Sequence, residues 1–285
     1  LKAHKSSEQV IETSNTIMGS EYAGMYNRSV RAAGFRIASY LAGKTAHLIP
    51  DQIESFELTP VSKELPKVFY ASEEARQYLY GATMGWQPTF MPPNEYADGA
   101  IYRSFNGPAS IREASYFYQN HPVVGNMYSR HGKDINFGGV LLYPWGGERM
   151  EEKERITSFA TNLLRQMGAE GVVITFIGGG HPGIDPMMLC QKCEQIGINT
   201  TLLYPEMAAN SSDPGFVHFV PEADAVVSVG NYEESITLPS APRVIGGDTI
   251  LLTQLNAHDQ LTLTIRYILG ASSPLGDWNL TGVQY

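Results

Sequence analysis

The residues best equipped for chemistry cluster in one nine-residue run, IGGGHPGID, at 177–185. Its consecutive glycines, Gly178, Gly179 and Gly180, let backbone N–H groups approach a ligand closely, and a helix starting just beyond them favours an anion. A carboxylate or a phosphate is the natural guest. No Gly-Lys-Ser/Thr follows, so the run is not a P-loop, and its spacing does not match the dinucleotide pattern GxGxxG. His181 sits inside the run, where an imidazole can carry a proton near neutral pH, and Asp185 closes it. Asn231, Glu233 and Glu234 follow a second apolar run, and they can receive an amine or simply cap a turn. Asn106–Gly107, between Ser104 and Ser110, is a turn dipeptide. Cys190 and Cys193 form a CxxC, but they fall inside a helical stretch rather than at its first turn, where a dipole would lower a thiol pKa. They read as two packed core thiols. The other histidines show no HxH or HxxxH spacing, so no metal site is expected.

Alternating strands and helices must position these groups. Residues 137–143 (FGGVLLY) read as a buried strand, 148–167 as a helix with acids early and Gly168 just past its end, and 171–177 (GVVITFI) as a second strand. After the glycine run, Asp185 is expected to cap a helix with Pro186 at its first position and Gly197 at its end. Residues 200–204 and 225–229 supply two more strands. This alternation predicts a parallel sheet with helical crossovers, and a parallel sheet binds ligands beyond its strands' carboxyl ends, where the glycine run falls. Residues 249–255 and 260–268 alternate in the strand period and predict antiparallel strands at the end.

The first part of the chain is a smaller mixed α/β region. Tyr22, Tyr26, Val30, Ala33, Ile37 and Leu41 share one face of a helix over residues 21–42, with Gly43 beyond it. Residues 53–58 and 67–71 read as strands, and 81–93 (GATMGWQPTFMPP) as a loop. The fold class is α/β, divided into a 1–133 N-terminal region and a 134–285 domain that carries the glycine loop.

Composition narrows the function classes. The net charge of −9, with no Lys/Arg cluster, excludes a nucleic-acid footprint. No apolar stretch is long enough for a membrane span. Two cysteines in 285 residues exclude a disulfide scaffold and point to a reducing compartment, the cytoplasm. The chain opens at Leu1 without a signal-peptide pattern, so a segment is expected upstream.

The order of several segments then carries a resemblance. DGAI at 98–101, NMYSRHGKDIN at 126–136, GGGHP at 178–182, CQKCEQIG at 190–197, ADAVV at 223–227, Gly230–Asn231, Leu238–Pro239, residues 244–246 and LGASSPLGDWNL at 269–280 follow one another. This collinear series resembles the component B proprotein subunit of the glycine, sarcosine, betaine and D-proline reductase family. The resemblance implies a larger partner subunit bearing a cysteine or selenocysteine, and reductive cleavage of a carbon–nitrogen bond α to a carboxylate. It also implies internal cleavage at a Cys that leaves a pyruvoyl group. Ungapped alignment places Asn106 at that Cys, and Asn lacks the hydroxyl or thiol that the ester shift needs; Ser104 or Ser110 would supply one only with the register shifted, so no pyruvoyl cofactor is expected at Asn106. The glycine loop also departs from the family pattern, with Ile177 before the glycines and His181-Pro182-Gly183 after them, while Asp185 is kept.

Together these readings describe a reductase-complex subunit without a pyruvoyl group. It acts with the Cys/Sec partner at the α-carbon of a small amino- or carboxy-substrate, in C–N or C–S chemistry. His181 would be catalytic, and Gly178, Gly179, Gly180, Asp185, Asn231, Glu234 and Asn106 would bind substrate. The alternative is a non-catalytic scaffold that stabilises the catalytic partner.

Overall fold

A computed structural model of the chain describes residues 19–53, 55–74, 77–79, 82–99, 101–103, 118–175, 180–206, 216–231, 233–244, 247–250 and 254–264. Asn106, Gly178 and Gly179 lie outside them.

The chain starts with a long helix, α1 (Gly19–Thr45). It runs two residues past Gly43, and the Thr45 hydroxyl closes it by donating to the carbonyls of Leu41 and Ala42. The described residues from 46 to 60 form no strand, contrary to the expectation for 53–58, and all of them are exposed. A short apolar run needs a neighbouring strand to become a ladder, and among the described residues no strand pairs with this segment.

β1 (Lys67–Glu74) is the first strand of the main sheet. The short strands β2 (Gln77–Leu79), β3 (Ala82–Thr83), β4 (Thr89–Met91) and β5 (Ile101–Arg103) surround a one-turn helix, α2 (Pro93–Ala97). α3 (Pro122–Arg130) precedes β6 (Asn136–Pro144). Then come α4 (Met150–Gln166), β7 (Gly171–Thr175), a tight turn over His181–Gly183, α5 (Ile184–Glu194), β8 (Asn199–Glu206) and β9 (Val226–Asn231).

Among the described residues the main sheet has six strands in the order β4-β6-β1-β7-β8-β9. β4 runs antiparallel to β6, and every other pairing is parallel. The expected α/β class with a mostly parallel sheet is therefore observed. β1 from the first region forms the centre, paired to β6 on one side and β7 on the other, so the sheet takes strands from both sides of 133/134.

Side-chain alternation along β1 separates two cores. Phe69 and Ala71 face α4 and α5, packing with Leu141, Ile156, Ala160, Leu164, Leu189 and Cys193. Tyr70 faces the other side with Val140, Leu142, Tyr96 of α2, and Val124 and Met127 of α3. Both cysteines are buried and free, as read from the sequence. Burial pushes the thiol of Cys190 up to about 11 and that of Cys193 to about 12, which disfavours thiolate at neutral pH.

Beyond the sheet, β10 (Ser235–Leu238) pairs antiparallel with β13 (Leu261–Thr264), and β11 (Thr249–Ile250) with β12 (Leu255–Asn256). The tail is antiparallel as expected, but residues 249–255 do not form one strand, since β11 and β12 are separate two-residue strands paired with each other, and the last strand pairs back to β10. No described helix is long and apolar enough to cross a membrane.

Candidate active site at the centre of the sheet

In chain order the five parallel strands lie 2-1-3-4-5, so the order reverses between β1 and β7. Ligands of open α/β sheets bind outside the carboxyl ends of the strands at such a switch point. Ser72 of β1 lies in register with Thr175 of β7, and Glu73 and Glu74 extend β1 beyond that level. Both acids are almost fully buried. Alternation puts Glu73 on the α4/α5 side and Glu74 on the α2/α3 side. Glu74 accepts from the Ser72 hydroxyl at 2.8 Å and from the Tyr118 hydroxyl at 2.9 Å, and its carbonyl accepts the Trp145 N–H.

A directed hydrogen-bond chain ends at Thr175. His121 caps α3, its Nδ1 accepting the Val124 N–H at 3.5 Å. The ring is fully enclosed, and loss of solvation lowers its pKa to about 3, so it is neutral. With Nδ1 accepting, the proton is on Nε2. Nε2–H then donates to the Tyr70 hydroxyl at 2.9 Å, and Tyr70 donates to Thr175 Oγ1 at 2.6 Å. Burial raises the Tyr70 pKa far above its usual value, which keeps that donor protonated. The Tyr143 hydroxyl donates to the Thr175 carbonyl at 3.1 Å. The Thr175 hydroxyl therefore keeps its own proton for an acceptor at the strand end, where the glycine run begins.

The far side of that run is anchored by a buried ion pair. Lys153 of α4 and Asp185 of α5 have fully buried side chains and are in direct contact. Asp185 Oδ1 also accepts the Gly146 N–H at 3.1 Å, and Lys153 Nζ lies 3.4 Å from the His181 carbonyl oxygen. Burial raises the Asp185 pKa, with Lys153 and the Gly146 N–H pulling the other way. Asp185 is thus not the helix cap expected from the sequence. The turn over His181–Gly183 opens the helix earlier, Gly183 stands at the cap, and the carboxylate is drawn inward to Lys153. Gly146 has no room for a side chain, because a Cβ would come within 2.7 Å of Lys153 Cα and 2.8 Å of Asp185 Oδ1.

Other residues read from the sequence fall around this centre. Gly180 has φ +74°, a conformation that favours glycine, and its carbonyl accepts the Gly183 N–H. His181 is exposed at the start of the turn. Asn231 ends β9, two strands from β7, and its Oδ1 accepts the Glu233 N–H at 2.9 Å in a local turn. Glu234 is exposed just after it. The fold thus gathers Gly180, His181 and Asp185 at the switch point and leaves Asn231 and Glu234 farther along the same edge. Among the described residues no group of three or more His, Cys, Asp or Glu is placed to hold a metal ion.

Sequence reading missed Tyr70, Glu73, Glu74, Tyr118, His121, Lys153 and Thr175. One signal was available for the acids: in SEE at 72–74, directly after the apolar run VFYA, polar residues continue a strand that a parallel sheet buries to its end.

The fold is that of an α/β protein whose mostly parallel sheet reverses its strand order between β1 and β7. The sequence model described as glycine/sarcosine/betaine reductase component B subunits matches residues 10–262, and the chain belongs to that family. It is 31% identical over 237 residues to the betaine reductase complex component B subunit alpha of Peptoclostridium acidaminophilum, covering 77% of this chain and 53% of that one. It is 34% identical over 236 residues to the sarcosine reductase complex component B subunit alpha of the same organism, covering 78% and 55%. With the glycine reductase complex component B subunits alpha and beta of Acetoanaerobium sticklandii, identity is 29% over 283 residues, covering 91% and 66%. The chain thus spans about half to two thirds of the length of these relatives. No solved structure matches it.

Proposed function

We propose that this chain is a subunit of a cytoplasmic reductase complex that binds a small amino- or carboxy-substrate and works with a larger Cys- or Sec-bearing subunit at the substrate's α-carbon. The observation that carries this reading is the switch point, where the buried Glu74 carboxylate and the buried Thr175 hydroxyl lie on one face of the sheet at neighbouring strand ends, with Glu73 on the other face and the glycine run leading on to α5. Acids at one strand end suit a cationic nitrogen. Hydroxyl and N–H donors at the next suit a carboxylate. Glycine, sarcosine and betaine, the compounds in the relatives' names, carry both groups on one carbon. The sequence places Gly178, Gly179 and Asn106 around the same substrate, with Asn231 and Glu234 at its outer rim.

In this reading the partner's thiolate or selenolate attacks the α-carbon, and the C–N or C–S bond breaks with its electron pair leaving on nitrogen or sulfur. A cationic nitrogen leaves as a neutral amine and needs no proton; His181, exposed at the start of the turn with its backbone held by Lys153, gives a proton to a leaving thiolate or stands in for the missing electron sink by hydrogen bonding. No pyruvoyl group is invoked, since Asn106 occupies the position where its precursor Cys would align. Replacing His181 by Ala should lower turnover of the assembled complex at least tenfold and leave assembly unchanged. Unchanged turnover, or loss of assembly, would remove the role given to His181.

One observation favours a scaffold instead: both oxygens of Asp185, the acid kept from the family pattern, are held by Lys153 and Gly146. Calorimetry of the isolated chain with glycine, sarcosine and betaine separates the two. A scaffold binds none of them, whereas the substrate-binding reading requires at least one, with affinity lowered by Thr175→Val.

A further inference from the structure

The described part of α1 and the segment after it carry a large exposed apolar surface. Every described side chain from residue 32 to residue 60 is exposed, including Phe35, Ile37, Tyr40 and Leu41 on the helix and Ile49 and Ile53 beyond it. The far end meets the body. There Phe56 meets the Tyr128 ring at 5.3 Å, and the Thr59 carbonyl oxygen lies 2.8 Å from His131 Nε2. Apolar exposure on this scale marks an interaction surface.

Charge divides the arm into two complementary parts. α1 holds Arg28, Arg31, Arg36 and Lys44 against the single acid Glu21, a net charge of +3 in a chain whose net charge is −9. The segment 48–58 holds Asp51, Glu54 and Glu57 and no Lys or Arg. Within one chain the described side chains of both parts, from residue 32 onward, stay exposed.

We propose that the arm is a self-complementary dimerisation surface, with α1 of each chain lying on the 48–58 segment of a second copy. A twofold arrangement satisfies both halves at once: basic helix meets acidic segment twice, and the apolar residues of each are covered by the other. Nine large apolar side chains between residues 35 and 58 are exposed. At on the order of 100 Å² each they reach the roughly 800 Å² per partner of a standard interface.

Sedimentation equilibrium of the 285-residue chain at micromolar concentration is expected to give about twice 31.4 kDa. Arg36→Glu with Lys44→Glu makes both parts of the arm acidic, and Asp51→Lys with Glu57→Lys makes both basic. Each double variant alone should be monomeric, and an equimolar mixture should restore the dimer, because mixing pairs opposite charges at both contacts. Circular dichroism checks that each variant is folded, and these exposed positions leave the sheet untouched. A monomeric wild-type chain overturns the proposal, as does a dimer that survives either double variant or a mixture that stays monomeric. Native purification in which a different polypeptide protects the arm from proteolysis also overturns it, in favour of a heteromeric contact.

Discussion

His121 makes the stability of the fold depend on pH. Its native pKa of about 3 lies below the ordinary 6.5. Between those values the unfolded chain takes up a proton that the native ring refuses. The contribution of the neutral ring is therefore fully present above about pH 6.5 and is lost as pH falls toward 3, by about 1.4 kcal/mol per pH unit in that window. Urea denaturation at pH 7, 6, 5 and 4 should show this slope in the wild type. His121→Asn keeps an acceptor for the helix cap but cannot titrate, and its stability should fall less steeply by that amount. Thr175 gives a second test. Thr175→Val leaves the buried Tyr70 hydroxyl without its acceptor and should cost about 1–3 kcal/mol at neutral pH, whereas Thr175→Ser keeps the acceptor and should stay within about 1 kcal/mol of wild type. The sequence could display the glycine run, because chain neighbours build it. It could not display this network, since Tyr70 is 51 residues from His121 and 105 from Thr175, and only the strand order brings them together.

Three elements depend on one buried charge pair. Lys153 on α4 meets Asp185 on α5, and Asp185 also holds the Gly146 N–H that follows β6. Removing one partner strands the other charge in a dry environment. Lys153→Met should therefore destabilise the fold by about 3–5 kcal/mol. The double variant Lys153→Met/Asp185→Leu, which leaves no unpaired charge, should recover a large share of that loss in urea titrations. Gly146→Ala should be destabilising as well, because its methyl would meet the Lys153 backbone. α4, β6, β7 and β8 were legible in the sequence because each combines its own periodicity with acids, glycines or apolar runs at its ends. The Asp185 cap was misplaced because an acid before Pro reads as a helix start, and the lysine that takes the carboxylate lies 32 residues away on another helix. The segment over 53–58 has the apolar residues of a short strand but no ladder partner among the described residues, and pairing is what local pattern cannot supply. The short strands β2 to β5 were hidden in a stretch rich in Gly, Pro and aromatics, where two or three residues of ladder leave no periodic trace.

At the scale of the whole molecule, the division expected at residue 133 and the sheet's own continuity make different demands on where the chain can be cut. β1 pairs over eight residues with β6 and over five with β7, so a fragment of residues 134–285 lacks the strand between them. Its β6 and β7 would face each other across a missing strand. Backbone N–H and C=O groups along both edges would lose their partners, and the apolar side chains that Phe69, Tyr70 and Ala71 now cover would be open to water. Closing the gap by pairing β6 directly with β7 would shift the α4 crossover and pull Lys153 away from Asp185. The 134–285 fragment is therefore expected to be aggregated or molten, with poor dispersion of amide NMR resonances and no cooperative urea transition. A fragment starting at residue 62 keeps β1 and removes only the exposed arm and what precedes it. It should retain dispersed resonances and a cooperative transition close to that of the full chain. A well-folded 134–285 fragment would mean that β1 is an accessory strand, and the switch point it forms with β7 would then lose its claim to be the centre of the site.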